Sequence, residues 1–158
     1  MPRVSKQKAR KDYPKQGIKK GETYYKWKFI YQPAKRSLTY PSRSQLTNSD
    51  FLSRLYCLED QGFDGISSRA DLTERVEYLI GEYEELLGEA EESLDAMPEH
   101  LQESSPVGEM LSERIDALND LIDELSTIDL DYDAEHDGDE YEWLISIQEE
   151  ASAISSGL

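Results

Sequence analysis

Basic and aromatic side chains are interleaved in the first third of the chain, in a pattern suited to binding a polyanion. Lysine and arginine neutralise phosphate groups and release counterions, and flat aromatic rings stack on nucleic-acid bases. The polyanion is either RNA or single-stranded DNA, or the acidic part of the chain itself. The residues expected to contact nucleic acid are Lys19, Lys20, Tyr24, Lys26, Lys28, Lys35 and Arg36.

Carboxylates are concentrated in the middle of the chain, where few basic residues accompany them. The range 71–128 contains eighteen acids and two bases. Exposed helix faces usually mix the two signs, so like charges here repel one another. This favours contact with something basic, either the groove of a nucleic-acid enzyme, in which the carboxylates imitate DNA phosphates, or the chain's own basic arm. The residues expected at a partner contact are Glu82, Glu84, Glu85, Glu89, Glu91 and Glu92.

The sequence contains no group of residues typical of an active site. His100 and His136 each lie alone in a polar connector, and Cys57 lies in an apolar helix, where we expect its thiol to be buried. Carboxylates are too numerous for any pair of them to indicate acid–base catalysis. We therefore predict that the protein is not an enzyme, and that it has no catalytic residue, no cofactor and no small-molecule substrate.

One acidic loop resembles the first half of a calcium-binding loop. Asp133, Glu135 and Asp137 would supply oxygen ligands at positions one, three and five, and Gly138 stands at position six. Position twelve should carry a bidentate glutamate, but Leu144 occupies it. We therefore predict no metal site.

The charge of the chain is divided sharply between its two ends. The whole chain of 158 residues has a net charge of −17, yet residues 1–45 contain thirteen lysines and arginines against two acids. Residues 46–158 contain 32 acids and four arginines. Such an asymmetry predicts two parts with different partners. We expect a basic aromatic arm and β-ribbon over 1–45 and an acidic helical domain over 46–158.

The basic part contains one clear strand. The range 22–31 alternates between two sets of residues, as a half-buried strand does, and a return strand follows to residue 40. The face expected to be buried carries Thr23, Tyr25, Trp27, Phe29 and Tyr31, and the other side, with Tyr24, Lys26 and Lys28, is expected to face outward. Residues 1–17 are predicted to be a disordered arm, because Pro14 and Gly17 break a helix and few residues could anchor it.

The acidic part is predicted to be helical. Its strongest pattern is a stripe of residues spaced alternately by four and three, formed by Leu72, Val76, Leu79, Tyr83, Leu86 and Ala90. A second such stripe contains Leu111, Ile115, Leu118, Ile122 and Leu125, and a last one contains Trp143, Ile147, Ala151 and Ile154. The fold class is therefore mainly α with a small N-terminal β-hairpin, built around an antiparallel helical hairpin, with helices over 48–60, 71–97, 106–128 and 140–155. Heptad stripes fit an intramolecular bundle and a homodimer equally well.

The location of the protein is constrained by what its sequence lacks. No apolar run approaches the roughly 20 residues that span a bilayer. The basic N-terminus is not followed by the apolar core of a secretory signal. The single cysteine cannot form an intrachain disulfide. We expect a cytoplasmic protein with no membrane contact.

Two segments resemble stretches of small uncharacterised phage-encoded acidic proteins. They are KKGETYYKWK, over 19–28, and PSRSQLTNSDF, over 41–51, and the resemblance covers residues 8–60. It implies a viral origin, which would place the protein in the host cytoplasm. Small acidic phage proteins include inhibitors of host nucleases and of defence complexes. The resemblance involves no functional motif.

Together these features predict a nucleic-acid-associated binding or adaptor protein. The basic ribbon would contact a polyanion, and the acidic helices would contact a protein partner or a second copy of the chain. One alternative is a DNA mimic that inhibits a host nucleic-acid enzyme or a defence complex by occupying its basic groove. A further alternative is a structural component of a virus particle.

Overall fold

The chain folds into two compact units, one with a small sheet and one made of helices. The computed structural model describes residues 1–63 and 65–155. The units are Met1–Cys57 and Leu58–Leu158. The fold class predicted from the sequence, mainly α with a small N-terminal β element, is confirmed. The packing boundary lies further along the chain than the charge boundary, because residues after position 45 belong to the first unit.

A three-stranded antiparallel sheet forms the centre of the first unit. Its strands are β1 (Ser5–Lys8), β2 (Thr23–Trp27) and β3 (Lys35–Ser37), in the order β1-β2-β3. The sequence predicted only the hairpin formed by β2 and β3.

The prediction that residues 1–17 are disordered is wrong. Part of this arm is β1, and a 3₁₀ helix follows over Pro14–Gln16. The backbone is held beyond the strand as well, because Ala9 N donates to Glu22 O and Gly21 N donates to Ala9 O, both at 2.8 Å. Backbone pairing with β2 orders this segment, together with Ala9 and Tyr13, which pack against Tyr24.

The two faces of β2 are both covered in part, which differs from the predicted pattern. Tyr24, expected to face outward, is 4% exposed and packs with Ala9 and Ile18. Trp27 is equally buried, and its Nε1 donates to Gln45 O at 3.2 Å. Tyr31, expected on the buried face, lies beyond the end of the strand and is fully exposed.

The described part of the second unit is helical. The helices of the chain are α1 (Asp50–Gln61), which begins in the first unit, α2 (Arg69–Asp95), α3 (Glu99–Gln102), α4 (Pro106–Thr127) and α5 (Glu140–Ser155). Side-chain caps start two of the long helices, because Ser68 Oγ accepts from Asp71 N at 3.2 Å and Ser105 Oγ accepts from Gly108 N at 3.0 Å. Helices α2 and α4 pack against each other, and α5 packs on both. No helix among 1–63 and 65–155 is long and apolar enough to cross a membrane.

The predicted apolar stripes form the core of the helical unit. All six stripe residues of α2, from Leu72 to Ala90, are buried. In α4 the match is looser, because Leu121 is buried while Ile115 and Ile122 are only half-buried. In α5, Trp143, Leu144, Ile147 and Ala151 are buried and Ile154 is half-buried. The α2 stripe is thus covered within the chain, so a homodimer through α2 would have to use other residues.

The expectation for Cys57 is wrong, because its side chain is exposed. Leu55 and Leu58 occupy the buried positions of this turn of α1. Since adjacent helical residues point in different directions, the thiol between them faces outward.

A buried hydroxyl pair lies inside the helical core. Tyr83 is 0% exposed, and its hydroxyl shares a hydrogen bond of 2.9 Å with Ser155 Oγ, which is also buried. Burial raises the pKa of Tyr83 above its ordinary value of 10.0, and the hydrogen bond from Ser155 acts in the opposite direction. The neutral phenol is therefore the form that the folded protein prefers.

Tyr83→Phe should lower the free energy of unfolding by about 1–3 kcal/mol, because it leaves the Ser155 hydroxyl buried without this partner. Tyr83→Phe combined with Ser155→Ala should be more stable than Tyr83→Phe alone, since neither hydroxyl is then left buried. Urea unfolding at neutral pH measures both differences. Equal stability of the single and double variants would contradict the pairing.

The same pair predicts a pH dependence. Because the folded-state pKa of Tyr83 is raised above the unfolded value of 10.0, its contribution is fully present below pH 10 and is lost as the pH rises through the folded-state pKa. The stability advantage of wild type over Tyr83→Phe should therefore shrink above pH 10. An advantage that grows in that range would contradict the assignment.

Candidate nucleic-acid interface

A basic cleft of about 780 Å³ lies on one face of the sheet unit. Half of its lining residues are lysine or arginine, and no acid is among them. The lining residues are Gln7, Lys8, Ala9, Arg10, Tyr13, Lys20, Gly21, Tyr24, Lys26 and Arg36. A concave surface that carries one sign of charge concentrates its field on a ligand of the opposite sign.

Strand register brings the central cations of the cleft together. In the ladder between β2 and β3, Lys26 lies directly opposite Arg36, and in the ladder between β1 and β2 it lies opposite Ser5. Residues directly opposite one another share a face of the sheet, so the two cationic side chains are neighbours. Like charges in such a pair destabilise the sheet. The unit therefore holds positive charge together at a cost.

Arg36 makes an incomplete set of contacts in this cleft. Its guanidinium carbon lies 4.5 Å from the centre of the Tyr13 ring, which is a cation–π geometry. Its Nε atom is buried and has no hydrogen-bond partner among the residues that the structure describes. A buried donor without an acceptor is unfavourable, and an anion in the cleft could supply the missing acceptor once the Arg36 side chain turns this atom toward the cleft.

Aromatic and aliphatic side chains form the floor beneath these cations. The Tyr13 and Tyr24 rings lie 5.7 Å apart in a tilted arrangement, and the Tyr24 hydroxyl donates to Gln7 Oε1 at 3.1 Å. Ile18 closes the cluster from the other side of a turn, in which Gly17 adopts a φ of +67°. Glycine takes this left-handed conformation without strain. The turn thus returns an apolar residue to the face that carries Tyr24.

Both acids of residues 1–45 accept hydrogen bonds from backbone amides beside the cleft. Asp12 Oδ1 accepts from Lys20 N at 2.6 Å, and Glu22 Oε2 accepts from Lys19 N at 2.7 Å. These bonds order the segment that follows Ile18 and places Lys20 on the cleft. Both carboxylates are thus held by main-chain donors.

The structure brings only some of the predicted nucleic-acid residues into the cleft. Lys20, Lys26 and Arg36 line it, whereas Lys19, Lys28 and Lys35 are exposed but are not among its lining residues. Tyr24 belongs to the floor, so the expectation that it presents its ring outward is wrong, because Ala9, Ile18 and Tyr13 cover it. Sequence reasoning left out Lys8 and Arg10, since they lie in the arm that was predicted to be disordered.

A second, more apolar cavity of about 540 Å³ lies elsewhere in the same unit. Its lining includes the apolar and aromatic residues Phe29, Leu46, Leu52 and Tyr56, and also Lys28. Unlike Arg36 in the basic cleft, none of its lining residues has a buried side-chain nitrogen or oxygen without a hydrogen-bond partner. It is therefore a weaker candidate for a ligand site.

The predicted acidic contact lies along α2. Glu84, Glu85, Glu89, Glu91 and Glu92 are exposed, and Glu82 is half-buried. These residues flank the buried stripe and form a carboxylate-rich outer surface. The position of the charge is therefore compatible with the partner contact that the sequence predicts, which stays a prediction.

The acidic loop before α5 is organised by its own hydrogen bonds. Asp133 Oδ1 accepts from Glu135 N, and Asp133 Oδ2 lies against His136 Nδ1, both at 3.0 Å. Leu144, at the position where a calcium loop needs a glutamate, is 6% exposed and belongs to the core. Over 1–63 and 65–155, no group of three metal-ligating side chains is found.

No protein-family model, curated protein or solved structure matches this chain. The candidate interface is therefore defined by its geometry and charge alone.

Lys26→Gln should raise the free energy of unfolding of the ligand-free protein by about 0.2–1 kcal/mol at low salt, because it removes repulsion from Arg36. The gain should fall as ionic strength rises and the charges are screened. Lys15→Gln is the matched control, since Lys15 is an exposed lysine of the 3₁₀ helix. Urea unfolding that gives the same change for both variants would show that the cross-strand pair is not strained.

Proposed function

We propose that this protein is a non-enzymatic, nucleic-acid-associated binding or adaptor protein. Its sheet unit binds the phosphate backbone of a nucleic acid, and its acidic helices contact a protein partner. The observation that supports the proposal best is the basic cleft around Arg36, whose buried Nε lacks an acceptor. The cytoplasm is the proposed location, or the host cytoplasm if the chain is phage-encoded.

Phosphate binding would explain both unfavourable features of the cleft. A phosphate oxygen accepts strong hydrogen bonds from a guanidinium, so it can satisfy the Nε donor of Arg36 once the side chain turns that atom toward the cleft. Its negative charge also offsets the repulsion between Arg36 and Lys26. A repeating phosphate backbone could engage Lys8, Arg10 and Lys20 along the rest of the cleft. An apolar ligand would do none of these things.

We assign the contact with a protein partner to the acidic unit because almost all of its charges are negative. The unit Leu58–Leu158 contains 31 acids and three arginines, and it would repel a nucleic acid. The unit Met1–Cys57 contains fourteen lysines and arginines and three acids. Complementary electrostatics raises association rates and makes them sensitive to salt, so each unit selects partners of the opposite sign.

A second candidate function is supported by the exposed carboxylates of α2. In a DNA mimic, Glu84, Glu85, Glu91 and Glu92 would occupy the basic groove of a nucleic-acid enzyme. The two functions differ in one simple respect. A mimic competes with nucleic acid for an enzyme, whereas the proposed binding protein holds the nucleic acid itself.

The full-length protein should bind a fluorescent single-stranded oligonucleotide with an affinity that falls steeply with salt. If all five cleft cations contact phosphates, log K should fall with log salt with a slope of about −3.5. Arg36→Gln combined with Lys20→Gln should lower the steepness by about 1.4, because two phosphate contacts are lost. Fluorescence anisotropy over a salt series measures both slopes.

The charge-matched control is Lys15→Gln combined with Lys6→Gln, which removes two cations that are not among the cleft residues, and Lys6 lies opposite Tyr25 on the other face of the sheet. This variant should keep the wild-type slope. An identical loss in the control would assign binding to the net charge of the unit rather than to the cleft. Full-length protein that binds no oligonucleotide at low salt would overturn the proposal. The mimic would then be tested by replacing Glu84, Glu85, Glu91 and Glu92 with lysine in an enzyme-competition assay.

A further inference from the structure

The loop between β2 and β3 presents the most exposed large hydrophobic residue of the described chain. Tyr31 is 101% exposed and its neighbour Ile30 is 81% exposed. Both side chains project into water, where an apolar surface is unfavourable. Single exposed apolar residues are common on proteins, so exposure alone does not assign a role.

The backbone of Tyr31 makes the position unusual in a second way. Its φ is +63°, and it is the single non-glycine residue with a positive φ among 1–63 and 65–155. A bulky L-residue in this region is strained by its Cβ, and glycine would adopt the conformation freely. Folding of the loop would therefore favour glycine here, so the tyrosine ring is not explained by the stability of the loop.

The loop around Tyr31 is tied down rather than loose. Gln32 N donates to Phe29 O at 3.2 Å, and Gln32 Nε2 donates to Asn48 Oδ1 at 2.6 Å. The Lys35 ammonium lies 5.3 Å from the centre of the Phe29 ring. These contacts hold the residues on both sides of Tyr31, so the ring is presented from a fixed base.

We propose that Tyr31 stacks on an unpaired base of a single-stranded nucleic acid whose phosphates lie in the basic cleft. This inference rests on the proposed function and adds the class of nucleic acid. A ring on a basic surface can stack on any base, because every base has a π-face. In a duplex these faces are covered by neighbouring base pairs, so a single strand is the form that offers them.

The loop lies close enough along the chain for a nucleic-acid strand bound in the cleft to continue to Tyr31. The pair Lys26 and Arg36 lies one residue from Trp27 and Lys35, the last pair of the ladder before the loop. Tyr31 lies five positions after Lys26, which is at most roughly 17 Å of extended chain. A strand of a few nucleotides can cover that distance, within the site sizes of about 4–16 nucleotides that such surfaces use.

A lipid surface is the other class of partner that an exposed tyrosine beside lysines could meet. The cleft argues against it, because the unpartnered Nε of Arg36 is buried inside a concave site. A phosphodiester of a flexible strand can enter that site, whereas the headgroups of a flat bilayer meet the rim. The nucleic acid is therefore the partner that accounts for the cleft and the loop together.

The experiment measures the affinity of full-length variants for three probes of about 12 nucleotides: oligothymidylate, a chain of abasic sites of equal charge, and a duplex. Tyr31→Ala should weaken oligothymidylate binding roughly tenfold, and Tyr31→Phe should leave it unchanged because the ring is kept. Wild type and Tyr31→Ala should bind the abasic chain equally. Wild type should prefer oligothymidylate to the duplex.

Two further variants protect this test from misfolding and from non-specific effects. Tyr31→Gly removes the ring and also relieves the strained φ, so it should fold at least as well as wild type and lose the same affinity. Tyr141→Ala removes another exposed tyrosine, 70% accessible and in the acidic unit, and should bind as wild type does.

Three results would overturn the inference. One is tight binding of oligothymidylate that Tyr31→Ala and Tyr31→Gly leave unchanged, which removes the stacking role and leaves the proposed function standing. Another is no binding of any of the three probes, which removes the proposed function as well. The last is Tyr31-dependent binding to vesicles that contain phosphatidylserine, without Tyr31-dependent binding of oligothymidylate.

Discussion

Repulsion between two neighbouring cations is the constraint on which the candidate interface depends. The register of β2 and β3 places Lys26 and Arg36 side by side, so the two residues stay neighbours as long as this register is kept. Arg36 is further restrained by the Tyr13 ring and by the burial of its Nε atom. The repulsion and the unpartnered Nε are unfavourable in the free protein and an anion in the cleft would relieve both, whereas the contact with the Tyr13 ring is favourable with or without an anion. The proposed function rests on this relief of unfavourable interactions by a bound anion.

The sheet that holds this pair is small, and backbone bonds and a small apolar cluster maintain it. Ala9, Ile18 and Tyr24, with Tyr13 against them, form an apolar cluster under the cleft. Asp12 and Glu22 accept from main-chain donors beside it. The helical unit is stabilised differently, by a continuous stripe of buried residues along α2 and its partners on α4 and α5. The acidic unit thus has its own core, and its carboxylates lie outside that core.

The sequence predicted the helical unit well because its pattern is local. Residues spaced by four and three on one helix face must share a surface, so the buried stripe from Leu72 to Ala90 could be read without any knowledge of the fold. The same rule was less accurate for α4, where Leu121 is buried and Ile115 is not fully buried, since α4 contacts α2, α3 and α5 and its buried surface is not a single stripe. The burial of Cys57 was predicted wrongly because the exposure of one side chain on α1 depends on which residues pack against that turn of the helix.

The interface could be located from the sequence only as a region of positive charge. Strand β1 has no apolar pattern, and its partner lies some twenty residues away, so no local signal predicted it. Without β1, the cations Lys8 and Arg10 had no place in the site, and Tyr24 had nothing to cover it.

The most direct test of this account follows the side-chain Nε–Hε resonance of Arg36 in the full-length protein by NMR, as oligothymidylate of about 12 nucleotides is added at low salt. We predict a large shift of this resonance that reverses at high salt, and a resonance that stays unchanged while the oligonucleotide binds would contradict the account.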